Sequence, residues 1–95
     1  MLEEPLRAVE ATRLVREIVE NGTIVYSGHS RDRMDENDMI DNDVVNVLSG
    51  GRIVNEAEWE NGSWRYRVQT GRFEVVAAFI DEERLVVATV MRYDR

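Results

Sequence analysis

The dipeptide Asn61-Gly62, set between Trp59 and Trp64, constrains this chain more than any other feature. Both residues accept the positive φ that a two-residue hairpin turn of the favoured hand requires. Such a turn opposes Glu60 to Ser63, Trp59 to Trp64, Glu58 to Arg65, Ala57 to Tyr66 and Glu56 to Arg67. Directly opposed residues share a face of a sheet, so this register sorts the side chains. Ala57, Trp59, Trp64, Tyr66 and Val68 fall on one side, and Glu56, Glu58, Arg65 and Arg67 on the other.

Further turn signals extend the pattern. A turn at Thr70-Gly71 sets Phe73 against Val68 and Glu74 against Arg67, and one at Glu82-Glu83 sets Thr89 against Val76, on the face of Arg65. The second half therefore reads as a meander of four strands, over residues 52–60, 63–70, 72–80 and 84–93. Strands three and four are apolar on both faces, with Val75, Ala77 and Phe79 alternating with Val76, Ala78 and Ile80. Strands of that kind lie near the centre of a sheet and are covered on both sides. Helices can cover one face. The other needs the N-terminal helix or a second subunit, so a homodimer or a partner protein is expected.

The first half carries the helices. Pro5 suits a first helical turn, and Leu6, Val9, Val15, Ile18 and Val19 form an imperfect helical stripe that stops at Asn21-Gly22. An N-terminal helix within residues 1–22 follows, then a short strand over residues 23–26. Ser27 caps a helix running to about Glu36, and after a break at Asn37-Asp38, Asp41 reads as the N-cap of another. Val44, Val47 and Leu48 share a face of that last helix before Gly50-Gly51. The expected fold is a single α+β domain over residues 1–95: N-terminal helices followed by a mainly antiparallel, twisted four- to five-stranded sheet.

Composition narrows the classes. No apolar run approaches the roughly 20 residues that span a bilayer, and Glu3 and Glu4 stand where a signal peptide would be basic, so a cytoplasmic protein without membrane association is expected. There is no cysteine, which removes disulfide and thiolate chemistry. With one histidine and no cluster at ligand spacing, neither a metal nor a cofactor is expected. The net charge of −7 opposes general binding to nucleic acid, so any phosphate contact must rest on local positive charge. All twelve basic residues are arginine, the side chain suited to bidentate phosphate contacts, although arginine-rich codon usage accounts for that equally well.

The chemistry centres on Tyr26-Ser27-Gly28-His29-Ser30-Arg31-Asp32-Arg33-Met34. With Ser27 as cap, His29 and Arg33 are i and i+4 neighbours on one helical face. A group that exchanges protons near neutral pH then stands beside a permanent cation. The plainer reading is a surface histidine near a helix start, with Arg33 paired to a local acid. Arg65 and Arg67 divide the same way, between partners of Glu58, Glu56 and Glu74 and the rim of a phosphate site.

The run from Ile24 to Met34, then Met39-Ile40 with Asp43-Val44, and the closing Val87-Ala88-Thr89-Val90, resemble the DUF4258 family of small bacterial proteins. The resemblance covers about Ile24 to Arg92 and rests on a strand, a histidine followed four residues later by arginine, a second short helix, and a final apolar strand with threonine. It implies a place in the RelE/MqsR-like, or barnase–EndoU–colicin–RelE, grouping, many of whose members are toxin ribonucleases. His29 and Arg33 are then the motif pair, and Arg65, Tyr66 and Thr89 occupy positions where sheet residues meet the site. Two departures stand out: Asn37, where relatives tend to carry another arginine, and the acidity of the whole chain. The implied activity is metal-free cleavage of RNA as a toxin-type endoribonuclease, silenced by an antitoxin. His29 would be acid or base, Arg33 and Arg65 the phosphate clamp, and Tyr66 or Thr89 a hydrogen-bond donor. The hairpin register sets Tyr66 on the face opposite Arg65. The alternatives are a catalytically inactive relative that binds a protein partner and a homodimeric regulatory module.

Overall fold

A computed structural model describes residues 2–94, so residues 1 and 95 of the expected domain lie outside the described residues. Three helices and five strands follow in the order α1 (Ala8–Asn21), β1 (Thr23–Tyr26), α2 (Gly28–Glu36), α3 (Asp41–Gly50), β2 (Glu58–Glu60), β3 (Ser63–Gln69), β4 (Phe73–Phe79) and β5 (Arg84–Arg92). This is an α+β domain with a five-stranded mixed sheet of order β1-β5-β4-β3-β2. The meander pairs antiparallel throughout, but β1 runs parallel to β5, with Val25 opposite Val86. The sheet expected to be mainly antiparallel is a mixed one, because β1 joins it parallel to β5. None of the described helices is long and apolar enough to cross a membrane.

Local chemistry explains most helix limits. Pro5 lies outside α1, after a cis Glu4-Pro5 bond; the N-cap is Arg7, whose N–H donates to the Glu10 carboxylate. α2 starts as expected, with the Ser27 hydroxyl accepting from the Ser30 N–H at 3.0 Å. The cap of α3 lies one residue before the expected Asp41. Ile40 is the N-cap, and its N–H is taken by Asp43 at 2.9 Å, which leaves Asp41 inside the first turn. An acidic side chain there complements the helix dipole, which is why both positions suit aspartate. Gly22 ends α1 for a reason other than left-handed backbone: a Cβ there would meet the Glu83 carbonyl oxygen at 2.1 Å.

Asn61 and Gly62 both have positive φ, and the β2–β3 register is the expected one, Trp59 opposite Trp64 and Glu58 opposite Arg65. The strand expected over residues 52–60 is shorter than predicted. Arg52 bridges to Gln69, and then residues 53–57 leave the sheet because the Ile53 N–H turns to the Thr12 hydroxyl of α1 while its side chain enters the core. The Ala57–Tyr66 and Glu56–Arg67 pairings do not form. At the next turn Gln69 opposes Glu74 and Val68 opposes Val75, so Phe73 and Glu74 are displaced from their expected partners. The Thr70 hydroxyl accepts from the N–H groups of Arg72 and Phe73, which moves the tight turn one residue along.

The β4–β5 pair contains the main irregularity. Ala77 faces Val87, while Val76 faces Thr89, so Ala88 is an extra residue in β5. Such a bulge reverses the alternation beyond it. Leu85, Val87 and Val90 consequently face the core, whereas Ala88 and Thr89 both face the other way.

All three helices pack on one face of the sheet. Ala11, Val15 and Ile18 of α1, Met34 of α2 and Val44, Val47 and Leu48 of α3 join Tyr66, Val68, Val75, Ala77, Phe79, Leu85, Val87 and Val90 in one core. Each fully buried aliphatic or aromatic side chain contributes about 1.5–3 kcal/mol relative to exposure. The N-terminal helix lies against α3 and does not cover the second face, which is left open among the described residues. Trp59 and Trp64 stack edge to face at 5.3 Å on the helical side, with Trp64 half-buried against the core and Trp59 exposed.

Candidate functional site

The open face is concave. Its hollow, about 560 Å³, has a floor of small apolar side chains, Val76, Ala78, Val86 and Ala88, and a polar wall that includes His29, Arg65, Arg67 and Thr89. Ser27 stands at one end, and Glu60 and Ser63 at the hairpin end.

Ser27 fixes the relation between the helix and the sheet. Its N–H donates to the Val87 carbonyl at 3.1 Å, its hydroxyl donates to the Ala88 carbonyl at 3.2 Å, and the same oxygen caps α2. One residue thus ties the first turn of α2, which carries His29, to the bulge that turns Thr89 into the hollow. The sequence marks Ser27 as a cap; its bond to the bulge has no local signature.

On β3 the two arginines differ. Arg67 donates to Glu58 at 2.6 Å and to the buried Glu74 at 2.8 Å. The Glu58 bond is the foremost cause raising its pKa, burial opposes it, and the bond and charge of Glu74 add to the rise. Glu74 also accepts from Gln69 and from the Tyr93 hydroxyl. Burial pushes the Glu74 pKa up, yet the bonds from Gln69, Tyr93 and Arg67 outweigh it and the net shift is downward. Arg67 is therefore a structural cation. Glu58 stands opposite Arg65 in the register, but its carboxylate reaches diagonally to Arg67. Arg65 donates to the Ser63 hydroxyl at 3.2 Å and, among the described residues, has no carboxylate partner.

The five residues singled out in the sequence thus separate. His29, Arg65 and Thr89 line one hollow. Arg33 does not line it; it pairs with Glu36 at 3.2 Å, which is the plainer of the two readings of that residue. Tyr66 lies in the core on the opposite face, where its hydroxyl accepts from the Leu6 N–H and donates to Glu4, both at 2.9 Å. Ser63 and Glu60 were missed as lining residues, although Ser63, two positions before Arg65 on the same strand, shares its face by alternation. Asn37 donates its side-chain amide to the Arg33 carbonyl and closes the end of α2. Among the described residues no group of His, Cys, Asp and Glu could hold a metal ion.

A helical layer on one side of a mixed sheet, with a histidine and an arginine lining a hollow on the open side, makes a small α+β domain with one concave face. The family model of a domain of unknown function, DUF4258, matches residues 26–92, and the chain belongs to that family. Neither the curated proteins nor the solved structures contain a match to it.

Proposed function

We propose that the chain is a metal-independent endoribonuclease of the toxin type, with a RelE/MqsR-like fold, acting on RNA across the concave face of its sheet. The observation that carries this reading is that Arg65, which has no ion pair among the described residues, shares a hollow with His29, Thr89 and Glu60, although the protein as a whole has a charge of −7. A guanidinium left unpaired in so acidic a chain suits an anionic ligand.

The reaction that such a site supports is attack of a ribose 2′-hydroxyl on the adjacent phosphorus. The P–O5′ bond breaks, and the products carry a 2′,3′-cyclic phosphate and a 5′-hydroxyl. One group must take the 2′-proton and another must protonate the leaving oxygen. His29 and Glu60, both lining the hollow, are a proton donor and acceptor of that kind. Arg65 holds the phosphate as negative charge develops, and the Thr89 hydroxyl donates to a non-bridging oxygen. Arg33 and Tyr66 have no part in it.

The test is incubation of the purified chain with RNA in the presence of a chelator. Cleavage leaving cyclic-phosphate ends is expected, His29→Ala should lower the rate by about 10²–10⁴-fold, and Arg33→Ala should leave it unchanged. Absence of cleavage, or His29→Ala cutting as fast as the parent, refutes the assignment. A second reading is favoured by the apolar part of the same face, where Val25 is 40% and Ile80 47% exposed. On that reading the family member is catalytically inactive and pairs through this face with a second copy or another protein. Sedimentation of a monomer at high concentration would remove the homodimer.

A further inference from the structure

A second cationic hollow, about 380 Å³, lies along α1, away from the concave face. One wall is the helical stripe Val9, Thr12, Arg13 and Arg16, spaced i, i+3, i+4 and i+7, and the other is the segment Arg52, Ile53 and Val54. The walls are fixed to one another. The Ile53 N–H donates to the Thr12 hydroxyl at 3.3 Å, and Arg16 donates to the Gly51 carbonyl at 3.2 Å. Ile53 itself is buried, which anchors the segment from below.

No carboxylate lines this hollow. The side chains of Arg13 and Arg52 have no hydrogen bond or ion pair among the described residues, whereas Arg31, Arg33, Arg67, Arg72, Arg84 and Arg92 each hold an acid. Beside the arginines stand two large apolar side chains in water, Val9 at 70% and Val54 at 65% exposure. At Val54 the hollow continues into another, about 570 Å³, whose lining includes Pro5, Leu6, Ala57 and Trp64. The result is a groove that is cationic at one end and mixed at the other, where Arg7, Asn55 and Glu56 stand among the apolar side chains.

We propose that this groove docks an acidic, partly apolar peptide segment of a partner protein. Its carboxylates would meet Arg13, Arg16 and Arg52, and its apolar side chains would cover Val9 and Val54 and continue toward Trp64. Charge complementarity and adjacent exposed apolar area together favour a peptide. A nucleic-acid strand is disfavoured because no aromatic ring lines the arginine end for base stacking. The groove shares no residue with the hollow around His29, so the proposal stands apart from the ribonuclease reading.

The experiment is titration of the isotope-labelled full chain with a synthetic peptide that alternates glutamate and leucine, followed by amide chemical shifts. Shifts confined to residues 6–16, 52–57 and 64 are expected, together with weaker binding at higher salt. The double variant Arg13→Gln, Arg52→Gln, at two exposed positions, should weaken binding by about tenfold or more while His29→Ala leaves it unchanged. No shifts, or shifts confined to the concave face, would overturn the proposal. Equal shifts of the groove with an oligouridylate RNA would reassign it to nucleic acid.

Discussion

Replacing Tyr66 by phenylalanine separates a structural from a catalytic role for that residue. The hydroxyl accepts from the Leu6 N–H and donates to the Glu4 carboxylate, both at 2.9 Å, and so fastens residues 4–6 to the underside of the sheet. A net hydrogen bond contributes about 0.5–1.5 kcal/mol, and one to a charged group about 1.5–3 kcal/mol. Glu4 is half-exposed and can turn to water when its donor is lost, so its bond belongs at the low end. The two together give a loss of about 2 kcal/mol, which in a domain of this size lowers Tm by about 8–16 °C. Thermal and urea unfolding of parent and variant measure it.

The same hydroxyl supplies a second readout. Its pKa is pushed up from 10.0 to about 12, first by burial and then by the bond to Glu4, while the Leu6 N–H works against them. An acid whose folded pKa is raised contributes stability that is complete below its unfolded value and disappears as pH rises through the folded one. Parent stability should therefore fall between about pH 10 and 12 more steeply than that of Tyr66→Phe. RNA cleavage per folded molecule should not change. A variant as stable as the parent, or one folded but catalytically dead, would refute this assignment of Tyr66.

Ser27→Ala removes the α2 cap and leaves the Ala88 carbonyl without its donor, a loss of about 1–3 kcal/mol in denaturant unfolding, with a displaced His29 imidazole signal in NMR. Glu74→Gln should flatten the acid side of the stability curve: the lowered pKa of Glu74 contributes stability above the ordinary carboxylate value of 4.5 and loses it as pH falls through the folded value, which acid titration by circular dichroism follows. Gly22→Ala places a Cβ at 2.1 Å from a backbone oxygen and forces α1 away from the β4–β5 turn, costing about 1–3 kcal/mol, which urea midpoints will show.

Local signals were legible where a residue type answers to one geometry. Asn61-Gly62 set the turn and the pairing around it, and Ser27 marked the start of α2. Thr89 reached its expected partner Val76 by a different route. The β4–β5 turn is one residue longer than two, with Ile80 bonded to Arg84, and the bulge at Ala88 compensates beyond it. Nothing in Val86-Val87-Ala88 distinguishes a bulge from a straight strand. The parallel pairing of β1 was likewise unreadable, since a strand of four residues carries no mark of a partner about sixty positions away. The choice of Glu58 between Arg65 and Arg67 is a rotamer decision, set by where Glu74 already holds Arg67. Alternation gave both arginines the same face and could not say which one would be left free.

The sheet order has a consequence in time. β1 comes first among the strands and its only neighbour, β5, comes last. A chain leaving the ribosome can pair β2, β3 and β4 as each emerges, but β1 and α2 have no docking edge until β5 arrives. His29 enters with α2, Arg65 with β3 and Thr89 with β5, so no nascent intermediate of this domain contains the concave hollow. Whatever the hollow does, it does only on a finished domain, after the last strand has closed the gap between the first strand and the rest.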